Sequence, residues 1–221
     1  MQQTMKVIIT LTLLLSLIEE SFSQNKNMEL GLSIAPSFYQ LKPQNGFEHV
    51  YNSDVNFLAG IDISFPVFKK SNLLTGVYYS NLKYNIDYKF TFEDPGDPFI
   101  PRYGDIAASY LEIPLIYILK FTSSGKFIPY SSLGLISSIL ISSDDKTTFE
   151  DNSIRSSGYL TSFLASLQLG IGLKYKLNDK WQLKLEPQYR LYLKGFDKMM
   201  YQKPSSINIP FGVIYTLPHK K

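Results

Sequence analysis

The feature that most constrains this chain is apolar and polar residues alternating with a period of two, repeated over most of its length. Trp181, Leu183, Leu185, Pro187, Tyr189, Leu191 and Leu193 interleave with Gln182, Lys184, Glu186, Gln188, Arg190, Tyr192 and Lys194. A helix at 3.6 residues per turn would mix these two sets, whereas a strand puts them on opposite faces. The same pattern recurs around 29–39, 53–66, 159–175 and 207–217, and in noisier form at 72–88, 108–121 and 127–141. In the noisier runs, Tyr78, Tyr84 and Ile136 stand where polar residues are expected. About eight strands result.

The connections between them alternate in length. Gaps at about 40–52, 89–107, 142–157 and 195–204 are long, and those at about 67–71, 122–126 and 177–180 are short. The short ones carry turn residues, as in Ser123-Ser124-Gly125-Lys126 and Asn178-Asp179-Lys180. Tight turns at one end and long loops at the other mark an outer-membrane barrel, with the turns in the periplasm and the loops outside. The strands also exceed the usual soluble length and reach the ~9–11 residues that cross a bilayer at a tilt. Aromatic residues near the strand ends predict two interfacial girdles. Phe38, Tyr39, Tyr84, Tyr88, Tyr110, Tyr159 and Tyr192 are expected at the outer rim, and Phe65, Phe68, Phe121, Phe127, Tyr175 and Trp181 at the inner rim.

The expected fold class is therefore all-β, an eight-stranded antiparallel up-and-down transmembrane β-barrel. Residues 1–23 precede it as a signal peptide, in which Lys6 leads an apolar run from Val7 to Ile18, followed by Ser21-Phe22-Ser23. The barrel domain is expected over 24–221.

With the apolar face toward lipid, the lumen receives Asp62, Glu112, Lys120, Lys174, Lys176, Lys184, Glu186, Arg190 and Lys194. Eight strands enclose only enough room for side chains, so these charges are expected to pair and fill the interior rather than line a pore. The structural network expected comprises Asp62, Glu112, Lys174, Lys184, Glu186 and Arg190, centred on Glu112, Glu186, Lys184 and Arg190.

Much chemistry is excluded by composition. The chain has 221 residues and no cysteine, which removes disulfides, thiolate metal sites and catalytic thiols. Only His49 and His219 could supply imidazole. Lys and Arg total 22 against 19 Asp and Glu, a balance that points away from nucleic acid. No catalytic residue, cofactor or metal ligand is expected. The acidic loop residues Asp94, Asp97, Asp144, Asp145, Glu150 and Asp151 lack a calcium-loop spacing and read as solvated. His49, beside Glu48, is the one base available to a lipid-modifying enzyme at the outer rim, but no Gly-x-Ser-x-Gly elbow accompanies it.

Ser109-Tyr110-Leu111-Glu112-Ile113-Pro114-Leu115 resembles a mid-barrel segment of the PorT-type outer-membrane β-barrel family. Gly170-Ile171-Gly172-Leu173-Lys174-Tyr175 and Leu183-Lys184-Leu185-Glu186-Pro187-Gln188-Tyr189 resemble its late strands. The resemblance implies an OmpA-like eight-stranded barrel in a Gram-negative outer membrane. One member of that family takes part in protein secretion, and most have no assigned role. The expected function is a non-enzymatic structural or binding role carried by the external loops. Its expected partners are outer-membrane lipid and lipopolysaccharide, the barrel-assembly machinery during insertion, and envelope or secretion proteins. The alternatives are a lipid-modifying barrel enzyme using His49 and a soluble periplasmic ligand-binding barrel with its faces inverted.

Overall fold

Twelve strand segments build the computed structural model, which describes residues 28–41, 49–89, 100–122, 124–149, 152–156, 160–196 and 204–217. The segments are β1 (Glu29–Gln40), β2 (Val50–Ser53), β3 (Asn56–Phe68), β4 (Ser71–Asp87), β5 (Tyr103–Lys120), β6 (Phe127–Thr148), β7 (Ser153–Ser156), β8 (Phe163–Lys176), β9 (Trp181–Leu185), β10 (Gln188–Tyr192), β11 (Ser205–Asn208) and β12 (Phe211–Thr216). The expected signal peptide lies outside the described residues.

The twelve segments make eight strands, because four of the strands are interrupted. Glu186-Pro187 separates β9 from β10, and Ile209-Pro210 separates β11 from β12. Proline has no N–H to give to a ladder, so regular pairing lapses there. Neighbouring groups bridge both gaps: Glu186 N–H donates to Pro210 O at 2.9 Å, and Ile171 N–H to Pro187 O at 3.1 Å. Asp54-Val55 separates β2 from β3, and the Asn56 side chain stands in for the lost ladder, accepting from Lys83 N–H at 2.6 Å and donating to Asp54 O at 2.8 Å. Residues 157–162 separate β7 from β8.

Pairing is antiparallel throughout and runs around the molecule. β1 pairs β3, β3 pairs β4, and the chain of neighbours continues through β5, β6 and β8. β8 pairs both β9 and β10, which pair β12 and β11, and both of these return to β1. The sheet thus closes as an eight-stranded antiparallel barrel; among the described residues only the short β2 and β7 segments pair on one side alone.

The faces divide as the alternation predicts. Leu32 (64% exposed), Ile61 (55%), Leu169 (58%) and Ile171 (71%) point out, while Asp62, Glu112, Gln168 and Lys184 point in and are at most 3% exposed. Dozens of large apolar side chains share the outer surface, far more than the few hundred Å² that a soluble monomer leaves bare. That overturns the inverted soluble barrel.

The strand lengths correct the expected loops. β4, β5 and β6 run on past the apolar band at the long-loop end, where Asn81–Asp87, Tyr103–Ser109 and Ser142–Thr148 form a continuous hairpin extension. Most of the expected 142–157 loop, and the 103–107 end of the expected 89–107 loop, is therefore strand. Asp144 and Asp145 sit in β6, with Asp145 buried and Asp144 facing Arg155 at 3.9 Å. Asp94, Asp97, Glu150 and Asp151 lie outside the described residues.

The inner aromatic girdle holds at Phe68, Phe121, Phe127 and Trp181, all exposed on the outer wall, whereas Phe65 is buried. The rings of Phe127 and Tyr175 meet tilted at 4.9 Å, and those of Trp181 and Tyr215 at 4.8 Å. The outer girdle differs from expectation. Tyr84, Tyr110 and Tyr192 are buried inside the barrel, and Tyr39 and Tyr88 pack against them; Tyr159 lies outside the described residues. Phe38 is exposed on the wall as expected, and Phe57, Tyr79 and Phe163 join it there, with Tyr79 Oη 2.7 Å from Ser109 Oγ.

Candidate functional site

The interior is built in layers, and strand β4 passes all of them. Nearest the tight turns, Asn72 Nδ2 lies 3.5 Å from Glu29 Oε2. The same Oε2 accepts from Lys174 Nζ at 2.5 Å, and Glu29 Oε1 from Lys120 Nζ at 3.5 Å. Above this, Asp62 Oδ2 accepts from Lys184 Nζ at 3.1 Å, Tyr78 Oη at 2.5 Å and Ser33 Oγ at 3.2 Å. Across the lumen Glu186 accepts from Ser132 Oγ at 2.5 Å and Tyr130 Oη at 2.9 Å. One step further, Glu112 accepts from Arg190 Nη1 at 2.6 Å and Ser80 Oγ at 2.8 Å.

Three carboxylates thus meet four cations in the lumen, and Glu186 meets two hydroxyls. Desolvating such charges costs several kcal/mol each, so each needs a partner and further hydrogen bonds. Lys174, Lys184, Glu112, Asp62 and Arg190 are paired, but not in the grouping expected around Glu186 and Lys184. Glu186 is held by two hydroxyls, and Lys184 reaches across to Asp62 instead. Glu29, left out of the expected network, is the partner of Lys174. Lys194 is a correction: it lies past the end of β10 and is exposed.

Small residues make the layers fit. A Cβ on Gly172 would lie 2.2 Å from Tyr130 Cζ, and one on Gly31 would lie 2.2 Å from Asp62 Oδ1. Each glycine therefore cedes space to the larger side chain on its neighbouring strand. Beside the Arg190 layer a cavity of ≈ 20 Å³ is lined by Gln168, Gln188 and Arg190, room for one water.

Above Arg190 the interior turns apolar. Leu82, Tyr84, Ile86, Ala108, Tyr110, Leu164 and Tyr192 from the wall meet Leu160 and Phe196 from the loops. Tyr192 and Phe196 rings lie 4.7 Å apart, and Tyr39 packs edge-on against Phe196 at 5.4 Å. The loops are tied down by Thr161, whose N–H donates to Phe196 O at 2.7 Å and whose hydroxyl donates to Gly195 O at 2.9 Å. This cap separates the ion-paired layers from the external side.

His49 stands at the strand ends of the same side. Its Nδ1 accepts Lys89 N–H at 3.1 Å, and its ring meets Tyr88 edge-on at 5.3 Å. Those contacts pin two strand ends together. Among the described residues no cluster of three or more His, Asp or Glu is placed to hold a metal ion.

The outer membrane protein beta-barrel domain family model matches residues 22–200. Among solved structures, the Neisserial surface protein A shares 13% identity at a TM-score of 0.52, covering 86% of this chain and 97% of that one. The outer membrane protein OprG of Pseudomonas aeruginosa shares 15% identity at 0.51, covering 87% and 96%. Both likenesses are of fold. No curated protein matches the chain.

Proposed function

This chain belongs to the outer membrane protein beta-barrel domain family and resides in the outer membrane, and from that premise we propose that it is a non-enzymatic binding or structural component of the envelope, acting through its external hairpins and loops. One observation carries the reading. Gln168 and Ser206 at mid-lumen are fully buried, and Glu112 and Arg190 beside them are at most 4% exposed. Bulk water does not reach the midsection, so recognition falls to the surface the barrel holds outside. The hairpin extension of β4, β5 and β6 is a rigid platform for it, the usual setting for binding loops.

The partner classes that fit are lipopolysaccharide at the outer rim and envelope proteins. The resemblance of Ser109–Leu115 to a segment of PorT-type barrels is the ground for including secretion proteins in that set. Protein reconstituted into vesicles with lipopolysaccharide tests the reading by mass spectrometry of the lipid and by ion current. Unchanged lipid masses and no current support it. Loss of an acyl chain over time, abolished by His49→Ala in a barrel that still folds, would establish the enzyme instead.

A further inference from the structure

β2 is held from one side. Its four residues pair β4 from Val50↔Asp87 to Ser53↔Tyr84, and among the described residues no other strand pairs with them. So short a ladder leans on what stands at its outer end, and there a side chain continues it. His49 Nδ1 accepts the Lys89 N–H at 3.1 Å, and the ring meets Tyr88 edge-on at 5.3 Å. Residues 42–48 precede His49 and residues 90–99 follow Lys89, so one contact stands at the root of two external connections.

An imidazole nitrogen that accepts an N–H carries no proton of its own. The contact therefore calls for the neutral ring with its proton on Nε2. A proton taken up from solvent turns Nδ1 into a donor, and a donor cannot hold the Lys89 N–H. The surroundings leave that change to His49. Tyr51 of β2, Tyr88 just past β4 and Arg102 just before β5 share its face of the sheet, with Tyr88 N–H donating to Arg102 O at 3.2 Å. Lys89, Asp54, Asp87 and Asp105 fall on the other face, where the three carboxylates gather about Tyr103. Tyrosine, lysine and arginine ordinarily titrate above about pH 9 and aspartate below about pH 5, whereas imidazole changes charge in between, at about 6.5.

We propose that His49 is an acid-released latch on the external side: neutral, it extends the β2–β4 ladder by one bond, and protonated, it lets the ends of the two segments part. Losing a bond from a four-pair ladder with a single partner shifts all of β2 toward release, because opening starts at such weakly held ends. The latch does not depend on what the external loops bind. Its bearing on recognition rests on the reading above.

The test is NMR of the full chain, uniformly labelled with nitrogen-15, in detergent micelles. His219→Gln leaves His49 as the one imidazole. At about pH 7.5 the ring is expected to carry its proton on Nε2 and none on Nδ1. Between about pH 7.5 and about pH 5, across the ordinary imidazole value, the Lys89 amide should lose hydrogen-exchange protection several-fold after correction for intrinsic exchange. Its shift should move with the same midpoint as the ring. His49→Asn puts a side-chain acceptor that does not titrate near the place of Nδ1, and should keep the amide protected at both pH values. His49→Phe retains a ring against Tyr88 without an acceptor, and should leave the amide unprotected at both. Heat-dependent gel mobility confirms that each variant is folded. A ring protonated on Nδ1 at about pH 7.5, a Lys89 amide that ignores the ring's titration, or a pH dependence that survives in His49→Asn or His49→Phe would each overturn the latch. Lipid modification or ion current would overturn the external-binding reading without moving these signals, so the two failures are distinguishable.

Discussion

Arg190 Nη1 lies 2.6 Å from Glu112 Oε2, and the two side chains are only 5% and 3% exposed. They come from strands on opposite sides of the lumen, so the pair ties β5 to β10 across the barrel axis. Glu112→Gln leaves the guanidinium buried without a counter-charge, and a cost of about 3–5 kcal/mol is expected. Glu112→Leu with Arg190→Met removes both charges and should unfold near the wild-type urea midpoint. Trp181, the one tryptophan, reports the transition by fluorescence. Equal losses in the single and double variants would show that the charges do not act as a pair.

The outward position of Leu185 predicts a cost that depends on depth. Leu185→Arg puts a guanidinium into hydrocarbon, at about 2–4 kcal/mol if the residue lies near the bilayer midplane. Ile141 is also exposed but borders Ser142 at the upper edge of the apolar band. Ile141→Arg should therefore cost about 1 kcal/mol or less. Reversible unfolding from lipid vesicles measures both, and equal costs would contradict the placement of the band.

At Gly172, as at Gly31, a Cβ would come within 2.2 Å of a lumen side chain. Gly172→Ala forces the Tyr130 ring aside and with it one of the two hydroxyls on Glu186. Overpacking of this kind costs about 1–3 kcal/mol. Gly125→Ala makes a contrast of another kind, since a Cβ there would meet only Phe127 O at an ordinary 3.8 Å but the residue has a φ of 105°, and strain would set its cost. A Gly172→Ala barrel as stable as wild type would mean that Tyr130 can leave without loss.

The alternation made the faces of the strands legible, and the lengths of the connections made the topology legible. Depth and partner were harder to read. Tyr84, Tyr110 and Tyr192 stand near strand ends, which suggested an interfacial girdle, yet each shares its parity with an inward polar residue: Ser80, Glu112 and Arg190. That parity was the available signal for the cap. The meeting of Glu29 with Lys174, 145 residues apart, had no such signal. Which lumen residues touch depends on the stagger of the closed sheet, and periodicity fixes the face without fixing the stagger. The extra length of β5 and β6 was hidden for a related reason. Their hairpin extension is solvated on its outer face, so Asp105, Asp144 and Ser143 read as loop composition.

Several barriers in series close the lumen, the aromatic cap, the Glu112–Arg190 layer beneath it and the Asp62–Lys184 and Glu29–Lys174 layers below that, and that arrangement predicts how conductance responds to mutation. Tyr110→Ala with Tyr192→Ala removes two rings from the cap but leaves Gln168, Glu112 and Arg190 packed below. No increase in planar-bilayer current is expected from that variant. Neither is one expected from Glu112→Ala with Arg190→Ala alone, because Leu82, Tyr84, Leu160 and Phe196 still seal the outer end. The four substitutions together still leave Leu82, Tyr84, Leu160 and Phe196 above and the Asp62–Lys184 and Glu29–Lys174 layers below, so no small-ion current is expected from them either. Current from any of these variants would mean that a single layer keeps the lumen closed.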